Sequence, residues 1–495
     1  MRSKNMVPLF PQKDTRLLAF YLPQYHPIPE NDAWWGKGFT EWTKVTQGRP
    51  LFKGHQQPHL PADLGFYDLR LPEVRAQQAE LARDAGLNGF IYYHYWFNGR
   101  RLLERPTDEV LRLKQPDFPF CLCWANEPWS RNWDGENRSV LMPQAYSDAG
   151  DLEHIQWLLG AFADERYLKI DGRPLFLIYR PSDLPDIRKT AAVWRAAAQR
   201  IGFPDLYLCA VRAFPGEFCD PAKFGLDALV DFRPNGADCG PRLKSDNPLE
   251  IGYRLHRVWD YDSLARVSLS EPLPDYRFFP SVCPCWDNSV RRSEGGVIFR
   301  GSTPDVYGEW LRTVLVREAI RPQKESLIAI NAWNEWAEGN HLEPCQRWGH
   351  GYLDATREAI SHARAYRTNL AGLCSGRTVA ASPEYRLLGH VDGKSIESGT
   401  LIANGWCVEA DSKSPPDYLA FAARQPDGRF VLLSPVEHQR LGRADVMREL
   451  GTQQSLNSGW AGRLALADAH AKPEDIHVLA IRARDELVAS LACLG

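Results

Sequence analysis

The chain has 495 residues, 44% hydrophobic and 24% charged, a globular balance that can bury a large core without staples. Its formal charge of −3, from 59 basic and 62 acidic residues, lacks the basic excess of a nucleic-acid binder. Tryptophan is the uncommon feature: 17 residues, about one in 29, beside only four methionines, so the enrichment is aromatic rather than generally apolar.

The start, MRSKNMVPLFPQKDTRLLAF, is charged and lacks an apolar run ending at a small-residue cleavage site. No stretch of 18 apolar residues occurs, so a cytoplasmic protein without an integral membrane segment is expected. Short apolar runs then recur between helix-like stretches, at 17–25, 89–96, 119–127, 174–181, 206–214, 228–234, 278–286 and 326–336. Continuous apolar strands suit a parallel sheet buried on both faces. Amphipathic segments such as 71–86 and 190–202 lie between them, each closing on a glycine. Eight strand–helix repeats in roughly 360 residues predict an α/β fold, the (β/α)8 TIM barrel. An open dinucleotide-binding sheet is the alternative, but Leu-Pro-Gln-Tyr-His-Pro, not a glycine-rich turn, follows the first strand.

Beyond residue 370 the character changes. Residues 371–384 read as a linker, and 385–495 as short alternating strands of a β-sandwich-like accessory domain, with Gln425-Pro426-Asp427-Gly428 as a hairpin turn. The eleven cysteines are odd in number and scattered, several of them (Cys121, Cys123, Cys209, Cys283) inside apolar runs, which predicts buried thiols. Cys121-Leu-Cys123 and Cys283-Pro-Cys285 lack the spacing of a zinc or redox pair. No HExxH occurs, and His26, His55, His59 and His94 lack helical metal spacing. Neither a metal nor another cofactor is expected.

In a barrel the active site forms at the C-terminal ends of the strands. After the first strand stand Tyr25, His26, Trp35, Glu41 and Trp42, candidate substrate contacts in a loop too polar and aromatic for simple packing. The second strand ends in Tyr92, Tyr93, His94, Tyr95 and Trp96, of which alternation points only half inward. After the third come Trp124, Asn126, Glu127, Trp129, Arg131 and Trp133, rings for stacking and polar groups for hydroxyls, or an ion pair of Arg131 with Glu127 or Asp134. Trp286 and Asp287 close the seventh, followed by Arg291 and Arg292, which suit an anionic sugar or a diphosphate. The last strand runs into Trp333, Asn334, Glu335, Trp336 and Glu338, then Gly339. Two carboxyls beside tryptophans match what glycosidic chemistry needs, since an apolar wall raises one carboxyl pKa while the other stays ionised. Ten tryptophans (Trp34, Trp35, Trp42, Trp96, Trp124, Trp129, Trp133, Trp286, Trp333, Trp336) fall at or just after strand ends, which predicts an aromatic-walled sugar cleft rather than a tryptophan-filled core.

The segments FYLPQYHPIPEND, WWGKGFTEW, GFIYYHYWFNG, FCLCWANEPWSRNWDG and INAWNEWAEGNHLEP resemble the bacterial WbsX-like family, over roughly residues 15–365. The Asn-Glu-x-x-Glu-Gly stretch is similar to that of glycoside hydrolase family 99, whose members are retaining endo-acting α-mannosidases on (β/α)8 barrels. That resemblance implies Glu335 as the base that deprotonates a sugar 2-hydroxyl, and Glu338 as the general acid. A second analogy makes Asn126-Glu127-Pro128 the acid/base motif and Glu335 a nucleophile, but the two glutamates then follow the third and eighth strands rather than the fourth and seventh. The expectation is an enzyme that cleaves or transfers at a glycosidic bond of a surface oligosaccharide or polysaccharide, such as O-antigen or capsule, or of its precursor. A nucleotide-sugar glycosyltransferase of lipopolysaccharide O-antigen assembly and a non-catalytic carbohydrate-binding protein are the alternatives.

Overall fold

The computed structural model describes residues 15–130, 140–214, 220–234, 239–271, 274–320, 325–371, 376–436, 438–452, 455, 458–469, 471–482 and 487–493. Eight parallel strands form the barrel: β1 (Arg16–Tyr21), β2 (Gly89–Phe97), β3 (Phe120–Trp124), β4 (Arg173–Ile178), β5 (Tyr207–Arg212), β6 (Ala228–Asp231), β7 (Phe278–Phe279 and Ser281–Val282) and β8 (Leu327–Ile330). Each falls on one of the apolar runs picked out by sequence, with β1, β2 and β4 reaching one residue beyond theirs. Neighbours pair in chain order, and β1 pairs with β8, Leu17 opposite Ile328, to close the ring. Pro280 has no N–H to give a ladder and splits β7 in two. The first piece pairs with β6 and the second with β8, so the ring survives the break.

Seven α-helices return along the outside: α1 (Pro72–Asp84), α2 (Arg105–Leu113), α3 (Asp148–Phe162), α4 (Ile187–Arg200), α5 (Tyr261–Ser270), α6 (Pro304–Ile320) and α7 (Gly351–Ala371). Among the described residues between β5 and β6 stands a 3-10 turn, Pro221–Phe224. α1 and α4 stop where expected: Gly86 and Gly202 take φ of 90° and 100°, left-handed values that only glycine reaches cheaply. One buried cluster runs through the barrel and its helices, which is why β1 and β3 are apolar on both faces.

The C-terminal region folds as two antiparallel sheets. One has five strands in the order Thr378–Val379, Phe430–Pro435, Tyr418–Arg424, Ile476–Arg482, Leu487–Cys493. The other has four: Leu387–Glu397, Thr400–Glu409, Gly459–Ala465, His438–Leu441. They share a core around Leu401, Cys407, Phe421, Trp460 and Val478. The 425–428 turn forms as read, with Gln425 N–H donating to Arg429 O at 2.7 Å. Two readings change. Thr378 and Val379, placed in the linker by sequence, pair with the five-stranded sheet. The strand Tyr418–Arg424 is buried on both faces: Leu419 and Phe421 face the shared core, while Tyr418, Ala420 and Ala422 pack with Val316 of α6. The sandwich is therefore seated on the barrel.

Cys121, Cys123, Cys209, Cys239, Cys283, Cys285, Cys345 and Cys407 are buried, as expected from the sequence. Among the described residues no helix is long and apolar enough to cross a membrane.

Candidate active site

A cleft of about 490 Å3 opens over the C-terminal ends of the strands. Its lining comes from the ends of seven strands: Gln24 after β1, Tyr93 and Tyr95 on β2, Glu127 and Trp129 after β3, Tyr179 and Arg180 after β4, Phe232 after β6, Trp286 and Arg291 after β7, Glu335 and Glu338 after β8. Trp35 adds a ring from the first loop.

The floor is built around one guanidinium. Arg291 Nη2 donates to Glu335 Oε2 at 2.9 Å and Nη1 to Glu338 Oε1 at 2.7 Å. Glu41 accepts from Nε at 3.1 Å and, in a shorter contact, from Nη2. Three carboxyls thus face one cation in a buried setting, where unpaired charge is costly. The site relieves this by holding on to protons. Burial drives Glu335 up to about 8, Arg291 opposes it, and the neighbouring Glu338 and Glu41 charges push it further up. Glu338 is also raised, by burial first and against the same Arg291. At neutral pH Glu335 therefore holds its proton. The three carboxylates hold Arg291 well above its ordinary value in spite of its burial.

Backbone devices fix both glutamates. Asn334 clamps the ends of β1 and β8, accepting from Leu22 N at 2.7 Å and donating to Leu22 O at 3.0 Å. Tyr25 OH donates to Asn334 O and accepts from Trp336 N at 3.3 Å. Asn334 and Glu335 pair antiparallel with Asn340 and His341, and the turn between them carries Glu338. Gly339 at that turn has φ 56°, and an added Cβ would lie 3.0 Å from the Asp287 carbonyl oxygen. Asp287 N in turn donates to Glu338 O at 2.6 Å. Behind Trp336, a fully buried Glu343 accepts from Trp336 Nε1 at 2.6 Å, Tyr67 OH at 2.8 Å and Gln78 Nε2 at 2.6 Å. Burial raises Glu343 to about 7 against those three hydrogen bonds.

Of the residues singled out in the sequence, Trp35, Tyr93, Tyr95, Glu127, Trp129, Trp286, Glu335 and Glu338 line the cleft together. Arg131 and Trp133 lie outside the described residues. The others are elsewhere, each for a physical reason. On β2, alternation sends Tyr93 and Tyr95 into the cleft. His94 and Trp96 face α3 instead, His94 stacking on Trp157 at 4.7 Å and Trp96 on His154 at 4.6 Å. Burial lowers His94 well below its ordinary value, so it is a neutral core histidine. Trp124 packs on His154 and Trp194, and Trp333 on Phe90. Trp336 stacks on His341, with ring centroids 3.8 Å apart, and packs on Trp42. Trp42 itself is pinned by its Nε1 donating to Tyr67 O at 2.8 Å. Tyr25 and Asn334 are spent on the clamp described above. His26 is buried and lowered to about 4 by desolvation. Asn126 ties β3 to β4, accepting from Arg180 N and donating to Arg180 O, both at 2.7 Å. Glu41 is fully buried beneath Arg291 rather than open to a substrate. Asp287 accepts from His55 Nε2 at 2.6 Å, since His55 Nδ1 takes the Leu51 N–H; against the upward push of burial, His55 and then Ser289 bring Asp287 to about 2.

Arg291, read from sequence as a holder of anionic ligands, is instead occupied by three carboxyls of its own chain. Glu127, 41% exposed at its side chain, pairs with Arg180 at 2.9 Å. Tyr179, Arg180 and Phe232 were not singled out, although they too stand at strand ends. The strand-end rule, applied to the fourth and sixth runs as to the others, finds them.

The family profile described as Glycosyltransferase WbsX matches residues 17–356. Two curated relatives, each called "Uncharacterized protein WxcX", come from Xanthomonas campestris pv. campestris strains B100 and ATCC 33913. Each is 48% identical over 358 residues, covering 72% of this chain and 51% of the relative. The chain thus spans about half the length of the curated relatives it matches. Among solved structures, a "Glycoside hydrolase-like protein" is 15% identical with a TM-score of 0.46, covering 72% of this chain and 96% of that one. A GH99 endo-alpha-mannosidase from Bacteroides thetaiotaomicron is 16% identical with a TM-score of 0.43, covering 72% of this chain and 100% of that one.

Proposed function

The chain belongs to the WbsX glycosyltransferase family, and we propose that it is a carbohydrate-active enzyme acting with retention at a glycosidic bond of a bacterial surface polysaccharide or its precursor. The observation that carries this reading is the carboxyl pair Glu335 and Glu338, set on one guanidinium at the floor of an aromatic-lined cleft. Sugar rings present flat apolar faces, and Trp35, Trp129 and Trp286 offer matching surfaces.

At rest burial favours the proton on Glu335, and the productive state is the one that has passed it to Glu338, whose side chain is 19% exposed against 7% for Glu335 and so stands nearer the substrate. Glu338 gives that proton to the leaving glycosidic oxygen. Glu335, made a stronger base than an ordinary carboxylate by its raised pKa, takes the proton of the sugar 2-hydroxyl, which attacks the anomeric carbon. In the second half Glu338 draws a proton from water or an acceptor hydroxyl, and Glu335 returns its own. Arg291 keeps one positive charge beside the pair throughout, so neither carboxyl is stranded when the proton moves.

Charge separates this reading from a nucleotide-sugar transferase, which the family's description favours. The described cleft residues include Glu127, Asp183, Glu335 and Glu338 against Arg180 and Arg291, an acidic excess that repels a diphosphate. Arg180 is itself paired with Glu127 and Asp183. Purified protein, oligosaccharides from bacterial surface polysaccharides and mass spectrometry test the proposal. Glu335→Gln and Glu338→Gln should each lower turnover by about 100-fold or more while leaving binding in place. Full activity in both variants overturns it. Consumption of a sugar nucleotide by the native protein, with no action on oligosaccharides, selects the transferase instead.

A further inference from the structure

Cys285, one residue before Trp286, lines not the sugar cleft but a second cavity of about 350 Å3. His59, from the loop after β1, and His341, from the turn after β8, line the same cavity. One ligand atom from each of the three lies within 4.8 Å of the others. Cys285 and His341 are buried and His59 half-buried. We propose that His59, Cys285 and His341 form a binding site for a zinc-type divalent ion.

The hydrogen bonding around His341 supports a ligand role. Its Nδ1 lies 3.0 Å from the Glu343 carbonyl oxygen, an acceptor only, so Nδ1 carries the proton and Nε2 presents a lone pair. That lone pair faces His59 Nδ1 at 3.0 Å. A ring whose second nitrogen donates to a backbone carbonyl is the usual arrangement of a metal-bound histidine. The donor set decides the ion. Two imidazoles and a thiolate suit zinc or cobalt, whereas magnesium and calcium require oxygen ligands. Tetrahedral zinc bonds place two nitrogens roughly 3.3 Å apart. To admit the ion, the hydrogen bond between the two imidazoles must open and each ring must turn its lone pair off the line joining the two nitrogens. The cavity leaves the fourth position to water, and Cys345 stands on its wall.

On binding, the Cys285 thiol proton passes to solvent as the sulfur–metal bond forms, so affinity rises with pH. The ion would tie together three loops that meet at the cleft: the one after β1, the one carrying Trp286, and the turn holding Glu338. It is a positioning element and touches neither glutamate. Sequence spacing does not reveal it, because the ligands come from three loops far apart in the chain.

Cobalt(II) is the probe, added to the metal-stripped 495-residue chain and followed by absorption. One equivalent should give tetrahedral d–d bands with a sulfur-to-cobalt charge-transfer band, and zinc should bleach both. Cys285→Ser should remove the charge-transfer band, and His59→Ala should weaken binding by more than about tenfold. Circular dichroism confirms folding, and His59, being half-buried on a loop, keeps the test open if Cys285→Ser is unstable. Glu335→Gln should bind cobalt as the native chain does, which separates this site from the proposed active site. Absence of the charge-transfer band in native protein, or its persistence at full strength in Cys285→Ser, overturns the proposal.

Discussion

Replacing Glu335 by glutamine should abolish turnover and, at alkaline pH, stabilise the fold. Burial raises the Glu335 carboxyl from an ordinary 4.5 to about 8. Between those values the folded chain holds a proton that the unfolded chain has lost. Stability is therefore fully present below pH about 4.5 and falls as pH rises towards about 8, by roughly 5 kcal/mol from this group. In Glu335→Gln the side chain is neutral at every pH, so that part of the decline disappears. Glu338, still raised by burial, keeps its own decline. Urea unfolding at pH 5 and pH 9 reads this out by tryptophan fluorescence, because among the described residues all tryptophans except Trp406 and Trp460 precede the C-terminal sheets. The variant should match the native chain at pH 5 and exceed it by several kcal/mol at pH 9. Parallel stability curves for the two proteins would refute the reasoning, since they would mean that Glu335 is not held protonated by its surroundings. A buried carboxyl pair costs stability, an exchange common where a site serves activity.

Trp129→Ala should raise the Kd for an oligosaccharide roughly two- to tenfold by calorimetry, with the melting temperature little changed, because the ring is half-buried at the cleft wall. Gly339→Ala should cost about 1–2 kcal/mol in backbone strain, more from the contact with Asp287, and should lower turnover by displacing Glu338; thermal melts and rates check both. Val316→Asp, which places an unpaired charge between α6 and the five-stranded sheet, should destabilise that contact by about 3 kcal/mol or more. Calorimetry should then resolve separate transitions for barrel and sandwich, where the native chain gives one.

The barrel was legible because its strands are buried on both faces and so read as unbroken apolar runs. Even the broken seventh strand fell inside its run, since Pro280 interrupts hydrogen bonding without interrupting apolarity. The strand-end rule found Glu335, Glu338, Glu127, Trp129 and Trp286. It gave no direction for the side chains, and Trp96, Trp124 and Trp333 turned out to fill the core. The tryptophan enrichment therefore serves core and cleft together. Least legible were contacts across long sequence distances. Arg291 lies 250 residues from Glu41, and no local pattern joins them. The tail was readable as alternating strands, but the double burial of Tyr418–Arg424 depends on α6, a partner the local sequence does not name.

A crystal structure of Glu338→Gln bound to an oligosaccharide that the native enzyme turns over tests the central claim most directly. The account predicts the scissile glycosidic oxygen within about 2.6–3.2 Å of the substituted side chain at position 338, with the neighbouring 2-hydroxyl at similar reach of Glu335. A sugar bound with its scissile bond away from both positions would contradict it.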